Sequence, residues 1–381
     1  LRSFYTSTPR AISGTSSSAN SVVNLVVDGS ILDSTYTGAN GFFYFLEGDN
    51  QIGTNDTIAD STGILVYLDN AATQANVVAA TPGSGGSLSG STQLALTANT
   101  VQIGNSASAS FSNTLLDTAK GSLSDADILY SVSSNNLTLG NVTNPNVSLA
   151  TTATTTYNIN GNITASGTGA LTFNGPVLLS ADPTLTTATG NISFNDTLDS
   201  SVSARALIIN SSGTTTFGGA VGEGSDLLSI TANSGGSTVI NGGSINTTGT
   251  IDISDAITLG ADTTINSGNL FFGLTVDSDG NSTPRALTIN TGSNQIGLLG
   301  DVGNTFALGA ITLNSTGTTT LNGTISAASL ATNSGGTTQI NGGTVTTTGA
   351  AGQVYGDNVT INANSIFSAH TGPISFAGPL D

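Results

Sequence analysis

The chain has 381 residues, and its 23 acidic residues against 5 basic ones give a formal charge of −18, although only 7% of residues are charged. So few cations exclude the basic patches that nucleic acid or an anionic membrane surface requires. Cysteine is absent, which excludes a disulfide framework and thiolate metal sites, and no apolar run approaches the ~20 residues of a spanning helix.

Low charge with abundant Ser, Thr and Gly is also the composition of disordered chains. Here, however, 37% of residues are hydrophobic, and they are placed periodically. Along the first 92 residues, VVNLVV (22–27), GFFYFLE (41–47) and GILVYLD (63–69) read as strong strands. TPGSGGSLSGS (81–91) reads as a linker or exposed loop. Residues 1–92 are therefore expected to form a small β module with a Gly/Ser-rich linker. Residues 93–150 are less regular, with strands such as LALTANTVQIG (94–104). LLDTAKGSLSDADIL (115–129) is the one helical candidate, weakened by Gly121.

From residue 151 to 381 the apolar residues alternate. Leu171 with Phe173, Ile192 with Phe194, Leu207 with Ile209, Leu287 with Ile289 and Ile374 with Phe376 each share a strand face. Asn-Gly and Gly-Gly turns follow many of these strands. Such turns fit antiparallel hairpins, but strand-turn units recur at steps near the ~20–29 residues of one-strand-per-turn solenoids. Larger copies lie above this. VLLSADPTL (177–185) returns as ITLGADTTI (257–265), SARAL (203–207) as TPRAL (283–287), and ANSGGSTVINGGSINTTG (232–249) as TNSGGTTQINGGTVTTTG (332–349). The first two offsets are 80 residues and the last is 100, a difference of about one coil. The predicted fold is all-β, a parallel solenoid over 151–381 with coils of 20–24 residues. Thr215, Phe217, Thr338 and Ile340 should point inward, and Thr216 and Gln339 outward. Recurring turn residues Asn160, Asn174, Asn241, Asn322 and Asn341 could stack as amide ladders, or serve only as turn formers.

Few residues carry chemistry. His370 is the only histidine, with no Ser–Asp set near it. Arg205 and Arg285, and likewise Asp182 and Asp262, hold equivalent repeat positions and read as structural. DSDGN (277–281) places side-chain oxygens at alternate positions, so Asp277, Asp279 and Asn281 are candidate calcium ligands, although Ser282 and Thr288 stand where a calcium loop has Gly and Glu. Glu47, Asp49 and Asn50 with Asp56 and Asp60 form a second acidic cluster. No catalytic or cofactor-binding residue is expected. Leu1 in place of Met, and a final TGPISFAGPLD without a cap, read as a segment of a longer protein.

The stretches ITLGADTTI, RALTIN, GTTTLNG, NSGGTTQINGG and VTTTGAAGQVYGDNVTI resemble filamentous-haemagglutinin-like adhesins, exoproteins of two-partner secretion and related autotransporters of Gram-negative bacteria. The resemblance covers roughly residues 151–381. It implies a right-handed parallel β-helix, export in the unfolded state and display at the cell surface or outside the cell. The expected function is a structural and adhesive filament of stacked coils that contacts itself and glycans or proteins of a host or matrix, without nucleic acid or membrane insertion. A carbohydrate-active β-helix enzyme and a passive sheath component are the alternatives.

Overall fold

The computed structural model describes residues 10–28, 30–47, 58–60, 62–69, 75–81, 87–89, 93–96, 100–103, 110–111, 130–133, 136–139, 148–151, 156–159, 161–165, 169–280 and 282–381. Among them there are strands and turns and no helix. Parallel stacked coils occupy residues 163–376, as the spacing of the strand-turn units predicts. The chain divides into two compact units, one of residues 1–176 with 187–190 and one of 177–186 with 191–381. The helical candidate over 115–129 lies outside the described residues.

The first unit opens with antiparallel pairing. Val22–Val27 lies between Ser30–Tyr36 and Gly63–Asp69, which in turn pairs with Asn76–Ala80. Arg10–Ser16 pairs antiparallel with Phe42–Glu47. Alternation decides the faces of this last strand: Phe43 and Phe45 are buried while Phe42, Tyr44 and Leu46 are exposed. Ile12, Leu25, Phe43, Phe45, Ile64, Val66 and Leu68 form the core. Leu88, inside the Gly/Ser-rich stretch, is also buried there and bridges to Ile12. Pairing then changes sense. Asn76–Ala80 is parallel on its other side to Thr100–Ile103, which is parallel to Ser148–Thr151, itself parallel to Leu171–Phe173.

The second unit is a three-sided stack. Its first face holds strands starting at Thr184, Ala206, Ser229, Ile251, Leu270, Ile296, Thr318, Thr337 and Asn358, 19 to 26 residues apart. Its second face contains Ile192–Phe194, Thr214–Phe217, Ser237–Ile240, Ala256–Leu259 and Val276–Ser278, continued through Val302 and Ile325. Its third face contains Val177–Leu179 and Leu198–Ser200, then Val221, Ser244–Asn246, Thr263–Asn266 and Leu287–Gly292. All of these neighbours pair in parallel. Inward positions meet their counterparts one coil away: Phe194 pairs with Phe217, whose ring it stacks at 5.7 Å and 5°, and Phe217 pairs with Ile240. Ile240 and Ile340 are both fully buried. A lone coil could not bury these side chains, so stacking is the folding reaction itself.

The internal copies do not fall on the same side of the stack. Val177–Leu179 and Thr184–Thr187 are on the third and first faces, whereas their copies Ala256–Leu259 and Thr263–Asn266 are on the second and third. Eighty residues carry eleven strands, or three and two-thirds coils. Ser237–Ile240 and Thr337–Ile340 are likewise on different faces, so each repeated eighteen-residue stretch supplies two sides of a coil rather than a fixed whole coil. The 80- and 100-residue copies nevertheless keep a common register, because the offsets differ by three strands, one coil.

Polar side chains fasten the layers. On the third face Asn266 Nδ2 donates to Asn246 Oδ1, Asn290 to Asn266 and Asn314 to Asn290, at 2.7–2.8 Å. A second ladder runs Asn362 to Asn341 to Asn322, at 2.8 and 2.7 Å. The ladder expected at Asn322 and Asn341 is thus present. Asn160 lies outside the described residues.

Candidate functional site: a duplicated double-loop corner

The second unit builds the same corner twice. In the first copy the strand Leu198–Ser200 leads into a loop of residues 201–205, and a second loop of residues 222–226 lies on the next coil. Asp199 Oδ1 accepts the backbone N–H groups of Gly224 and Ser225 at 2.9 and 3.3 Å. The Ser200 hydroxyl oxygen accepts Arg205 N–H at 3.0 Å. Ser200 N–H donates to Ser225 O at 3.2 Å, and Leu228 N–H to Arg205 O at 2.8 Å. One coil earlier, Asp182 Oδ1 accepts Ala206 N–H at 3.0 Å.

The second copy repeats each bond. Asp277 Oδ1 accepts Thr305 and Phe306 N–H at 2.8 and 3.2 Å. The Ser278 hydroxyl oxygen accepts Arg285 N–H at 2.9 Å. Ser278 N–H donates to Phe306 O at 3.1 Å and Gly309 N–H to Arg285 O at 2.8 Å. Asp262 Oδ1 accepts Ala286 N–H at 2.9 Å. Short carboxylate side chains are suited to this work because they accept from backbone donors that a loop would otherwise leave unpaired. Asp182 and Asp262 thus serve the turns, as their register predicts.

The copies differ in the length of the loop before the arginine, four residues (201–204) against six (279–284), and at one chemical point beside it. Asp279 follows Ser278, and its carboxylate takes Arg285 Nε and Nη2 at 2.9 Å each. The guanidinium holds the Asp279 carboxyl below the usual carboxylate range, and the carboxylate raises Arg285 in return. In the first copy Ser201 follows Ser200. Its backbone is placed alike, since Ser201 N–H donates to Leu179 O and Asp279 N–H to the equivalent Leu259 O. Arg205 therefore has no acid beside it among the described residues, and its Nε is buried without an acceptor.

Two of the three candidate calcium ligands are engaged with separate protein partners. Asp277 clasps the 303–306 loop, Asp279 pairs with Arg285, and Asn281 lies outside the described residues. In the other acidic cluster Asp60 is ion-paired with Arg10; Asp49, Asn50 and Asp56 lie outside the described residues. Among the described residues no group of three or more His, Asp or Glu is arranged to hold a metal. His370 is exposed. The repeat register identified Arg205 and Arg285 as equivalent. The change of partner was written only in DSS against DSD, at residues 199–201 and 277–279.

Two further carboxylates are buried at corners of the stack. Asp255 accepts Gly236 N–H at 3.0 Å and the Thr238 hydroxyl at 3.3 Å. Asp357 accepts Gly336 N–H at 3.1 Å and the Thr338 hydroxyl at 3.0 Å. Burial lifts the Asp255 carboxyl above its ordinary range, against the lowering effect of both hydrogen bonds.

Comparison with protein-family models, with characterised proteins and with solved structures finds no match. No helix among the described residues is long and apolar enough to cross a membrane.

Proposed function

We propose that the chain is a structural and adhesive protein of the cell surface or extracellular space, a stack of β coils that holds loops for contact with glycans or proteins of a host or matrix. The observation that carries this reading is the in-register run of the first face from Thr184–Thr187 to Asn358–Ile361. Each coil advances ~4.8 Å, so eight coil-to-coil steps give a scaffold of roughly 40 Å by the same spacing. The stack's acids support it as well: Asp182, Asp199, Asp262, Asp277, Asp301 and Asp357 each bind backbone N–H groups instead of converging on a common point. A glycoside-cleaving site needs a facing pair of carboxyls. The resemblance to filamentous-haemagglutinin-like adhesins supplies the extracellular setting.

Beads coated with the full chain, drawn across glycan- and matrix-coated surfaces under flow, test the reading. Retention well above that of albumin-coated beads is expected. Retention equal to albumin, together with release of reducing or unsaturated ends from a polysaccharide panel, would replace it with the carbohydrate-active enzyme. Retention equal to albumin without such release would leave a passive sheath component.

A further inference from the structure

We infer that Arg205 is the centre of a binding site for a singly charged carboxylate supplied by another molecule, in the place that Asp279 fills in the duplicate corner. This goes beyond the adhesive reading and does not depend on it.

Two independent observations meet at this residue. The first is the internal duplication. The anchoring bonds on either side of Arg205 and Arg285 are the same, through Ser200 and Ser278, Asp199 and Asp277, and Asp182 and Asp262, although the loop before Arg285 is two residues longer. In that frame Arg285 receives a carboxylate in two-point contact through Nε and Nη2. The protein itself thus displays the group that a guanidinium in this position accepts. A planar fork facing a carboxylate is the geometry for which arginine is best suited. The second observation is the unsatisfied donor. Arg205 Nε is buried and has no acceptor, whereas buried polar groups in folded proteins are nearly always paired, and an orphan donor calls for an unseen partner. Nε is also one of the two atoms through which Arg285 holds its carboxylate.

The surroundings restrict the ligand. The adjoining loop carries exposed Glu223 and Asp226, and the whole chain has a charge of −18. Both repel a polyanion more than a single carboxylate. Ser201 carries no carboxylate where the second copy has Asp279, and Ser203 in the same loop is exposed. A hydroxylated acid such as a hexuronate matches that polar rim.

The test is a titration of the full chain with sodium acetate and, separately, sodium glucuronate, with chloride matched as the control anion. The Nε–Hε resonance of Arg205 is followed by NMR, and folding is checked by circular dichroism. The wild type should show one saturable shift. Ser201→Asp should supply the carboxylate internally, move that resonance without ligand and abolish the titration. Arg205→Lys, which keeps the charge but loses the fork, should weaken binding by about tenfold or more. Asp279→Ser should open a second site at Arg285. Tighter binding of glucuronate than of acetate would identify a sugar acid as the source; equal binding would identify a bare carboxylate such as an acidic peptide side chain. The inference fails if chloride produces the same shift, if Ser201→Asp titrates like the wild type, or if Asp279→Ser gains no site.

Discussion

Asn266 and Asn290 lie opposite one another on adjacent coils, with Asn290 Nδ2 2.8 Å from Asn266 Oδ1. Asn290 also accepts from Asn314 at 2.7 Å, so its amide is donor to one layer and acceptor to the next. A side-chain amide carries both groups at once. Asn290→Ala should lose two net hydrogen bonds, about 1–3 kcal/mol in all, since each contributes roughly 0.5–1.5 kcal/mol. Asn290→Asp removes the donor and sets two oxygens against each other, so it should cost more at neutral pH and recover once its carboxyl protonates. Urea unfolding of both variants at neutral and acidic pH checks this. Equal stability of Asn290→Asp at the two pH values, relative to wild type, would discount the ladder.

What the sequence revealed follows from which interactions are local. Inward placement of Thr215, Phe217, Thr338 and Ile340 depends only on strand period two, and all four are buried as expected. The face on which a copy lands was hidden, because it depends on how many strands intervene between Val177 and Ile257, not on either stretch. The ladder through Asn246, Asn266, Asn290 and Asn314 was hidden too: Asn at a strand end looks the same whether it turns the chain or bonds the next coil. Asp277 and Asp279 were conspicuous, but alternate oxygens read alike for a cation loop and a loop clasp. The N–H groups that Asp277 accepts come from Thr305 and Phe306, a coil away.

Thr215 and Thr319 are fully buried, and neither hydroxyl has a hydrogen-bond partner. Valine has nearly the same shape without the polar atom. Thr215→Val and Thr319→Val should therefore each stabilise the fold, by about 1 kcal/mol. Thr338 is equally buried but donates to Asp357 at 3.0 Å, so Thr338→Val should instead cost about 1–3 kcal/mol by leaving the carboxylate short of a donor. Denaturant midpoints at neutral pH distinguish the cases. Destabilisation by all three to the same extent would mean that the hydroxyls do not set the energetics.

The corner at Gly242 has no room for a side chain. A Cβ there would lie 1.9 Å from Gly219 O and 2.1 Å from Gly219 C, both backbone atoms of the previous coil. Neither can yield without moving a strand, so Gly242→Ala should cost several kcal/mol, above the ~1–3 kcal/mol of ordinary overpacking. Gly280 makes the control, with nothing within 4 Å of its added Cβ; Gly280→Ala should leave the melting temperature essentially unchanged. The same melting temperature for both variants would contradict close stacking at this corner.

Asp255 makes the stack's stability depend on pH in a direction opposite to that of most paired acids. Its carboxyl is almost fully buried, and burial raises its folded pKa above the unfolded value, which is ~3.9 for aspartate. The folded state then holds the proton more tightly than the unfolded state. The resulting contribution favours the fold at low pH and is lost as pH rises between the unfolded and the raised folded values, with no further change above the latter. Asp279 works the other way: its lowered pKa contributes stability above the unfolded value, and this is lost as pH falls through the folded one. The difference between wild type and Asp255→Asn isolates the first effect. Asparagine keeps an oxygen for Gly236 N–H and a polar neighbour for Thr238, and it has no charge to bury. Asp255→Asn should therefore be at least as stable as wild type at neutral pH, and the wild type should gain on it as the pH falls through the window. Asp255→Ala, which strands the Gly236 N–H, should cost about 1–3 kcal/mol throughout. Urea midpoints for the three chains, taken at intervals from neutral pH down to ~3.9, decide the matter. A wild-type advantage over Asp255→Asn that is constant with pH would show that the carboxyl titrates alike in the folded and unfolded chain.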